Sequence, residues 1–506
     1  MTNAVRNTQL TDFNSLQNEE YGESSNTKSI YSSFRWNGVS QISNQAIKFI
    51  QYIILARLLA PEDFGLMSMA MVVISFTDTF KELGTVATII QRKTLTLSLL
   101  SSIFYFNILL GLLTGIVIFF CAPIFSFIYQ EPRIIHLLQL MSAYFIITST
   151  SLVMRGLIQR DMRFDRLAFI EITTNLLGGG ISVWMALNGY GVYSLVYGLL
   201  ISSTINTLLL WFSVSWKPQL IFHWSELVTI FHFSLHLTGS QIIHYIMFNM
   251  DRIIIGRFLG ATSLGYYDLA QRIFMIPIRN VTYALRRVLF PGFSKIQEDD
   301  LQIQKKYIRT CCAIALICFP ALTGLCVLAG PFVRVVLGEQ WIEAVPLIIL
   351  MAPIGIIQSL ATTVGVLYMI KGKTDWLLLW ELFAGTSLTI SYFCGLYWGI
   401  NGVAAVTLIF MIFLTYPAFS IPLYLINMKF GQLVIAINPY IISTLIMATG
   451  TVLLRTGMEY YKFSSQNVLF SCTIFGIIIY TSIIILNRPQ ALQDIQRLVF
   501  KKVLIS

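Results

Sequence analysis

Residues 52–67 read YIILARLLAPEDFGLM, and residues 252–267 read RIIIGRFLGATSLGYY. In ungapped register, 39–67 and 239–267 agree at eight of 29 positions, among them Gln41/Gln241, Arg57/Arg257, Leu59/Leu259 and Gly65/Gly265. A bias toward apolar residues matches isoleucines by chance, but it does not bring a glutamine, an arginine and a glycine into one register. A second echo supports the first: GYGVYSLVYG (189–198) resembles GINGVAAVTL (399–408). The chain carries matching marks near the start and the end of two halves.

What each half encodes depends on its solvent. Of 506 residues, 56% are hydrophobic and 11% charged, and the mean hydropathy is +0.73. Soluble domains carry about 25% charged residues, so this chain is solvated by lipid. A bilayer core about 30 Å thick takes about 20 apolar residues per helix. Fourteen such runs are readable, the first at 36–57 and the last at 467–486.

Lys and Arg gather on cytoplasmic loops near span ends. With both ends of the chain inside, the cytoplasmic segments hold 23 of the 34 Lys and Arg. Six fall outside, and five (Lys48, Lys81, Arg252, Arg272 and Arg279) fall within spans. This asymmetry predicts an even number of spans with both termini cytoplasmic. The net charge of +10 then sits on loops such as 155–166 and 286–300, which face an anionic leaflet, and implies no nucleic-acid partner. The seven cysteines lie in or beside apolar runs without C-x-x-C spacing, and read as small core residues. His232, His236, Ser240 and His244 recur every four residues on one helical face. With no acid or cysteine beside them, that face reads as water-lining, and no metal or other cofactor is expected.

Six spans separate the repeated stretches, an even number, so corresponding helices cross the bilayer in the same direction. Two such halves are related by an axis along the membrane normal. The expected fold is an all-α integral membrane bundle of about 14 transmembrane helices in two six-helix lobes related by a pseudo-two-fold axis. The expected boundaries are a disordered cytoplasmic tail (1–30), lobes 31–216 and 217–430, two extra spans (431–487) and a cytoplasmic C-terminal tail (488–506). Rocking one lobe against the other would expose a central cleft to each side in turn.

Four stretches carry a specific resemblance: ARLLAPEDFGLMSMAMVVISFTDTFKELGTVATIIQRK (56–93), NMDRIIIGRFLGATSLGYYDLAQRI (249–273), RVLFPGFSKIQED (287–299) and GEQWIEAVPLI (338–348). From about residue 30 onward the chain resembles the Wzx-type polysaccharide flippases. Within the multidrug/oligosaccharidyl-lipid/polysaccharide exporter superfamily it is most similar to the colanic-acid-exporter branch. The resemblance implies alternating-access transfer of a polyprenyl-diphosphate-linked oligosaccharide repeat unit across a bacterial inner membrane. The products in view are exopolysaccharide, capsule or O-antigen, with membrane lipids and a polymerase or export machinery as partners. It implies no enzymatic step, and the short outside loops show no concentration of acid, base or nucleophile.

Such a cargo has an apolar tail, an anionic diphosphate and a polar glycan, so its path needs positive charge at membrane depth. A charge in the bilayer centre costs a few kcal/mol and defaults to a cavity or a paired role. Lys48, Arg252, Arg272 and Arg279 are the cationic candidates for the substrate cavity. Lys48 has no carboxylate three or four residues away, which favours the cavity. Asp268 lies four residues before Arg272, so for Arg272 ion pairing and diphosphate contact both stand. Lys81, between Asp78 and Glu82, reads as an interfacial pair. A carboxyl that takes up H+ or Na+ can couple an ion gradient to rocking. Asp78, Asn249, Asp251 and Asp268 are candidates for that role, with structural hydrogen bonding as the alternative. A drug/cation antiporter would share the lobes, but four basic residues within spans oppose a cavity that welcomes cations. A peptidoglycan-precursor flippase would share both lobes and cationic cavity, and only the quoted motifs separate it.

Overall fold

A computed structural model of the chain describes residues 44–82, 84–92, 94–294 and 296–487. The expected tails, 1–30 and 488–506, lie outside the described residues, as do the side chains of Lys81, His232, His236, Ser240 and His244. All regular structure among the described residues is helical.

Eight of these helices are long and apolar enough to cross a membrane, or nine if the bent pair Arg133–Ser149 and Leu152–Arg160 is one span. Their outer faces carry Phe120, Phe127, Phe212, Phe413, Ile435 and Leu486, each more than two-thirds exposed. Apolar exposure on this scale is a lipid surface, since water would not tolerate it. The protein is a multi-pass membrane protein. The expected fourteen runs map onto these helices unevenly. The runs expected at 376–397 and 401–424 form two helices, Thr374–Gly395 and Gly399–Tyr424, which follow one another through Leu396–Trp398 and enter the eight as one segment. Those at 227–256 and 264–290 lie in one helical stretch, Trp224–Ser294, broken at Gly260 (φ 82°, ψ 178°) and holding acids and bases on both arms.

The described residues form two compact units: 44–55, 74–122 and 135–241 in one, 56–73, 123–134 and 242–487 in the other. In the first unit Ile103, Phe104, Val153, Met154, Ile158 and Trp216 build a buried apolar cluster. Phe104 meets Trp216 edge to face at 6.0 Å, the orientation that ring quadrupoles favour. In the second unit the helix Asp300–Val327 starts where the Asp299 side chain accepts from the Gln302 amide at 3.0 Å, an N-cap. It packs against Val345–Ala361 and Phe430–Tyr460.

The second echo in the sequence marks two tight helix hairpins. Phe164–Leu187 turns into Val192–Ser213 through Gly191 (φ 53°), and Leu396–Trp398 leads into Gly399–Tyr424 through Gly399 (φ 68°). Both glycines hold a backbone conformation that a Cβ resists. Small residues then line each hairpin: Gly178 against Ser202 and Gly198 against Ser182 in the first, Gly395 against Gly402 and Val403 in the second. In lipid, close approach of this kind replaces the hydrophobic effect as the force between helices.

Gly395→Leu should therefore wedge the second hairpin apart, because its Cβ would overlap the Val403 backbone rather than a movable side chain. The expected loss is about 1–3 kcal/mol, read as a lower melting temperature of the detergent-purified protein.

Candidate functional site

Of the basic residues predicted within spans, Arg252 and Arg272 meet around the break at Gly260. One arm of the broken helix supplies Asn249, Asp251 and Arg252, and the other supplies Tyr267, Asp268, Gln271 and Arg272. Asp251 and Asp268 are 4% and 2% exposed, so each carboxylate must be satisfied inside the protein. Asp251 accepts from the Arg252 amide at 2.8 Å, the Tyr267 hydroxyl at 3.1 Å and the Gln271 carboxamide at 3.2 Å. Asp268 sits between two guanidinium groups, accepting from Arg252 Nε at 3.2 Å and Arg272 Nε at 2.6 Å.

Arg252 ties the arms together. Besides Asp268 it donates to Asn249 Oδ1 at 3.0 Å on its own arm and to Gln271 Oε1 on the other. Two arginines and two aspartates cancel, so the knot itself is near neutral. Arg279, exposed and seven residues beyond the half-exposed Arg272, adds positive charge along roughly the same helical face. The structure thus joins Arg252, Arg272, Asn249, Asp251 and Asp268 in one network, with Arg279 farther along the second arm. Lys48 and Asp78 belong to the other unit. Lys48 is exposed on the helix 44–58, and Asp78 is half-buried on the wall of a cavity.

The repeat has a structural counterpart within the second unit. A Cβ on Gly65 would overlap the carbonyl oxygen of Ala261, and a Cβ on Gly265 would overlap that of Pro61. Positions 61 and 261 correspond in the repeat register, so each copy's glycine receives the other copy's backbone. The arginines behave alike. Arg57 donates to the carbonyls of Val335 and Val336, the latter at 2.9 Å, and Arg257 donates to that of Phe127 at 3.1 Å. Each guanidinium meets carbonyls near a helix C-terminus, where positive charge is favoured. Trp341 Nε1 donates to the Ala56 carbonyl at 2.6 Å, while the ring of Tyr129 lies against Gly256, the counterpart of Ala56.

Sequence reasoning missed Gln271, and it missed Tyr267 as a buried partner of Asp251. It also missed a polar chain in the first unit. There Asn44, 5% exposed, donates to Glu171 at 3.3 Å and accepts from Asn175 at 3.1 Å, and Glu171 pairs with Arg155 at 3.6 Å. A polar residue inside the apolar run 36–57 was the available signal. No group of three or more metal-binding side chains occurs among the described residues. In the loop 130–132 the hydrogen bond from Arg133 holds the Glu131 carboxyl below the usual carboxylate range.

Residues 54–346 match the family model described as polysaccharide biosynthesis protein. The chain is 28% identical over 343 residues to the lipopolysaccharide biosynthesis protein WzxC of Escherichia coli (strain K12), covering 67% of this chain and 70% of that protein. It is 27% identical over 483 residues to the succinoglycan biosynthesis transport protein ExoT of Rhizobium meliloti (strain 1021), covering 92% and 95%. Among solved structures, lipid II flippase MurJ in an inward closed conformation superimposes with a TM-score of 0.71 at 15% identity, over 89% of this chain and 98% of that one. That likeness establishes a shared transporter fold.

Asp268→Asn should leave Arg252 and Arg272 facing each other without their counter-charge. The expected cost is about 2 kcal/mol, below the ~3–5 kcal/mol of a fully buried pair because Arg272 is half-exposed. Adding Arg272→Gln should restore part of it. Melting of the three proteins in detergent checks both statements, and an additive double mutant would contradict them.

Proposed function

This chain belongs to the polysaccharide biosynthesis protein family, and from that membership we propose that it flips polyprenyl-diphosphate-linked oligosaccharide repeat units across a bacterial inner membrane. The observation that carries the reading is the end-to-end relation to a polysaccharide transport protein, 92% of this chain against 95% of that one. The seam of glycines and the arginine–aspartate knot both fall inside the matched family region, 54–346.

The proposed cycle is alternating access between two lobes, 31–216 and 217–430, within a bundle of fourteen spans with cytoplasmic termini. The reciprocal packing of Gly65 on Ala261 and Gly265 on Pro61 supports the pseudo-two-fold relation, and the bias of Lys and Arg toward alternate loops supports the orientation. In this account Arg272, Arg279 and Lys48 supply positive potential along the path of the diphosphate. Arg252 both holds the two arms and contributes to that potential. A guanidinium suits a diphosphate because its planar donors pair with two phosphate oxygens at once.

The carboxylates divide in the same account. Asp268 is the counter-ion of two arginines, and Asp251 accepts from a hydroxyl, a carboxamide and an amide. Coupling to H+ or Na+ through Asp78, Asn249, Asp251 or Asp268 is part of the proposal, as is hand-over of the flipped unit to a polymerase or export machinery. The basic residues within spans disfavour a drug/cation antiporter, since a positive cavity repels a cationic substrate.

Depleting the protein in its native cell should trap lipid-linked repeat units in the cytoplasmic leaflet, with wild type restoring export. Lys48→Ala and Arg252→Ala, each inserted normally, should lower export by about tenfold or more, the worth of a lost charge-assisted contact. Wild-type export by both would contradict the cationic path, and accumulation of a peptidoglycan precursor instead would reassign the cargo. Gly65→Leu and Gly265→Leu should impair export to a similar degree, since each would drive a side chain into the same pair of backbones. A strong loss at one position and none at the other would contradict the pseudo-symmetric seam.

A further inference from the structure

The first unit contains a cavity of about 240 Å³ that the arginine–aspartate knot does not touch. Its wall includes Asp78, Tyr144, Arg155, Thr174, Ser203 and Asn206, contributed by five helices. Thr174 is 5% exposed, and its hydroxyl has no hydrogen-bond partner among the described residues. An unmet buried hydroxyl is costly unless a ligand or water completes it. Arg155 is held from behind: Glu171 pairs with it at 3.6 Å, and Asn44 donates to Glu171 at 3.3 Å. Ser203 spends its proton on the Leu199 carbonyl at 2.8 Å and so offers the cavity only lone pairs.

This lining selects against ions of either sign. Glu171 offsets the Arg155 guanidinium at 3.6 Å, and the wall carries a guanidinium and the Asp78 carboxylate together, so it presents no single sign of charge to an ion. What remains is a neutral ligand rich in hydroxyls. Carboxylate, carboxamide and guanidinium groups are planar and carry paired polar atoms, so each spans two neighbouring hydroxyls of a sugar ring. The Tyr144 ring offers an apolar surface for the ring's C–H face. The volume is below the ~300 Å³ at which pockets for drug-sized ligands begin, and suits one monosaccharide.

We propose that this cavity is a glycan subsite, binding one sugar of the oligosaccharide head while the diphosphate is handled elsewhere. The inference rests on the flippase reading for the identity of the glycan, and its test is separate. The probe is the repeat-unit oligosaccharide released from its lipid by mild acid, added to the detergent-purified full chain. Saturation-transfer NMR should report binding to wild type. Asn206→Leu and Thr174→Val, melting as wild type, should weaken it about tenfold each. If Asn206→Leu fails to fold, Asn206→Asp, which removes the donor and keeps the shape, takes its place.

No transfer to wild type, or undiminished transfer to the folded variants, would overturn the proposal. So would a rise in melting temperature with NaCl over KCl that Thr174→Val abolishes, because the cavity would then be a sodium site. If lipid-linked units flip in cells yet the free glycan does not bind, the subsite fails and the flippase reading stands. If the glycan binds and the cavity variants weaken it while lipid-linked units fail to flip, the flippase reading fails and the subsite stands.

Discussion

Asp268 is almost wholly buried and is gripped by Arg252 from one arm of a broken helix and by Arg272 from its own arm. In a bilayer an uncompensated charge costs a few kcal/mol, so these residues are tolerated only as a set. The break at Gly260 brings them together, because it lets residues sixteen apart in sequence share one carboxylate. Asn249, Gln271 and Tyr267 complete the knot by filling the remaining donor and acceptor positions. Arg272 and Arg279 then extend positive charge outward from the knot along its second arm, rather than standing as a loose set of buried cations.

A second constraint is steric. At Gly65 and Gly265 two helical segments approach so closely that neither accepts a Cβ, and the backbone each one meets belongs to the other repeat copy. Close backbone contact between small residues is how membrane helices associate without a hydrophobic driving force. Arg57 and Arg257 fix the same segments by donating to carbonyls near helix ends. The seam is thus made of van der Waals contact and a few polar anchors, all within the second unit.

Much of this was legible in the sequence. The register of Arg57/Arg257 and Gly65/Gly265 marked the seam, the four-residue spacing of Asp268 and Arg272 marked their pairing, and the apolar composition marked the membrane. The reach of Arg252 to Asp268 was not legible, because helical spacing says nothing across a break. Gln271 and Tyr267 were hidden for the same reason: their partner, Asp251, lies on the opposite arm. Asn44, Asn175 and Glu171 are joined across more than a hundred residues by packing alone. Counting apolar runs gave fourteen where the described residues give eight or nine apolar helical segments, since the adjoining helices Thr374–Gly395 and Gly399–Tyr424 enter as one segment, and runs that carry charges, as in Trp224–Ser294, lose the plain signature of a lipid-facing span.

The central claim is that this chain by itself moves a lipid-linked glycan between leaflets. The most direct measurement is to reconstitute the purified protein in proteoliposomes loaded with the lipid-linked repeat unit and to follow its exposure to an external glycan-cleaving or glycan-binding reagent. The account predicts that the unit reaches both leaflets in a protein-dependent way, and more slowly with Arg252→Ala. Equal exposure with and without the protein, under conditions where the vesicles remain sealed, would contradict it.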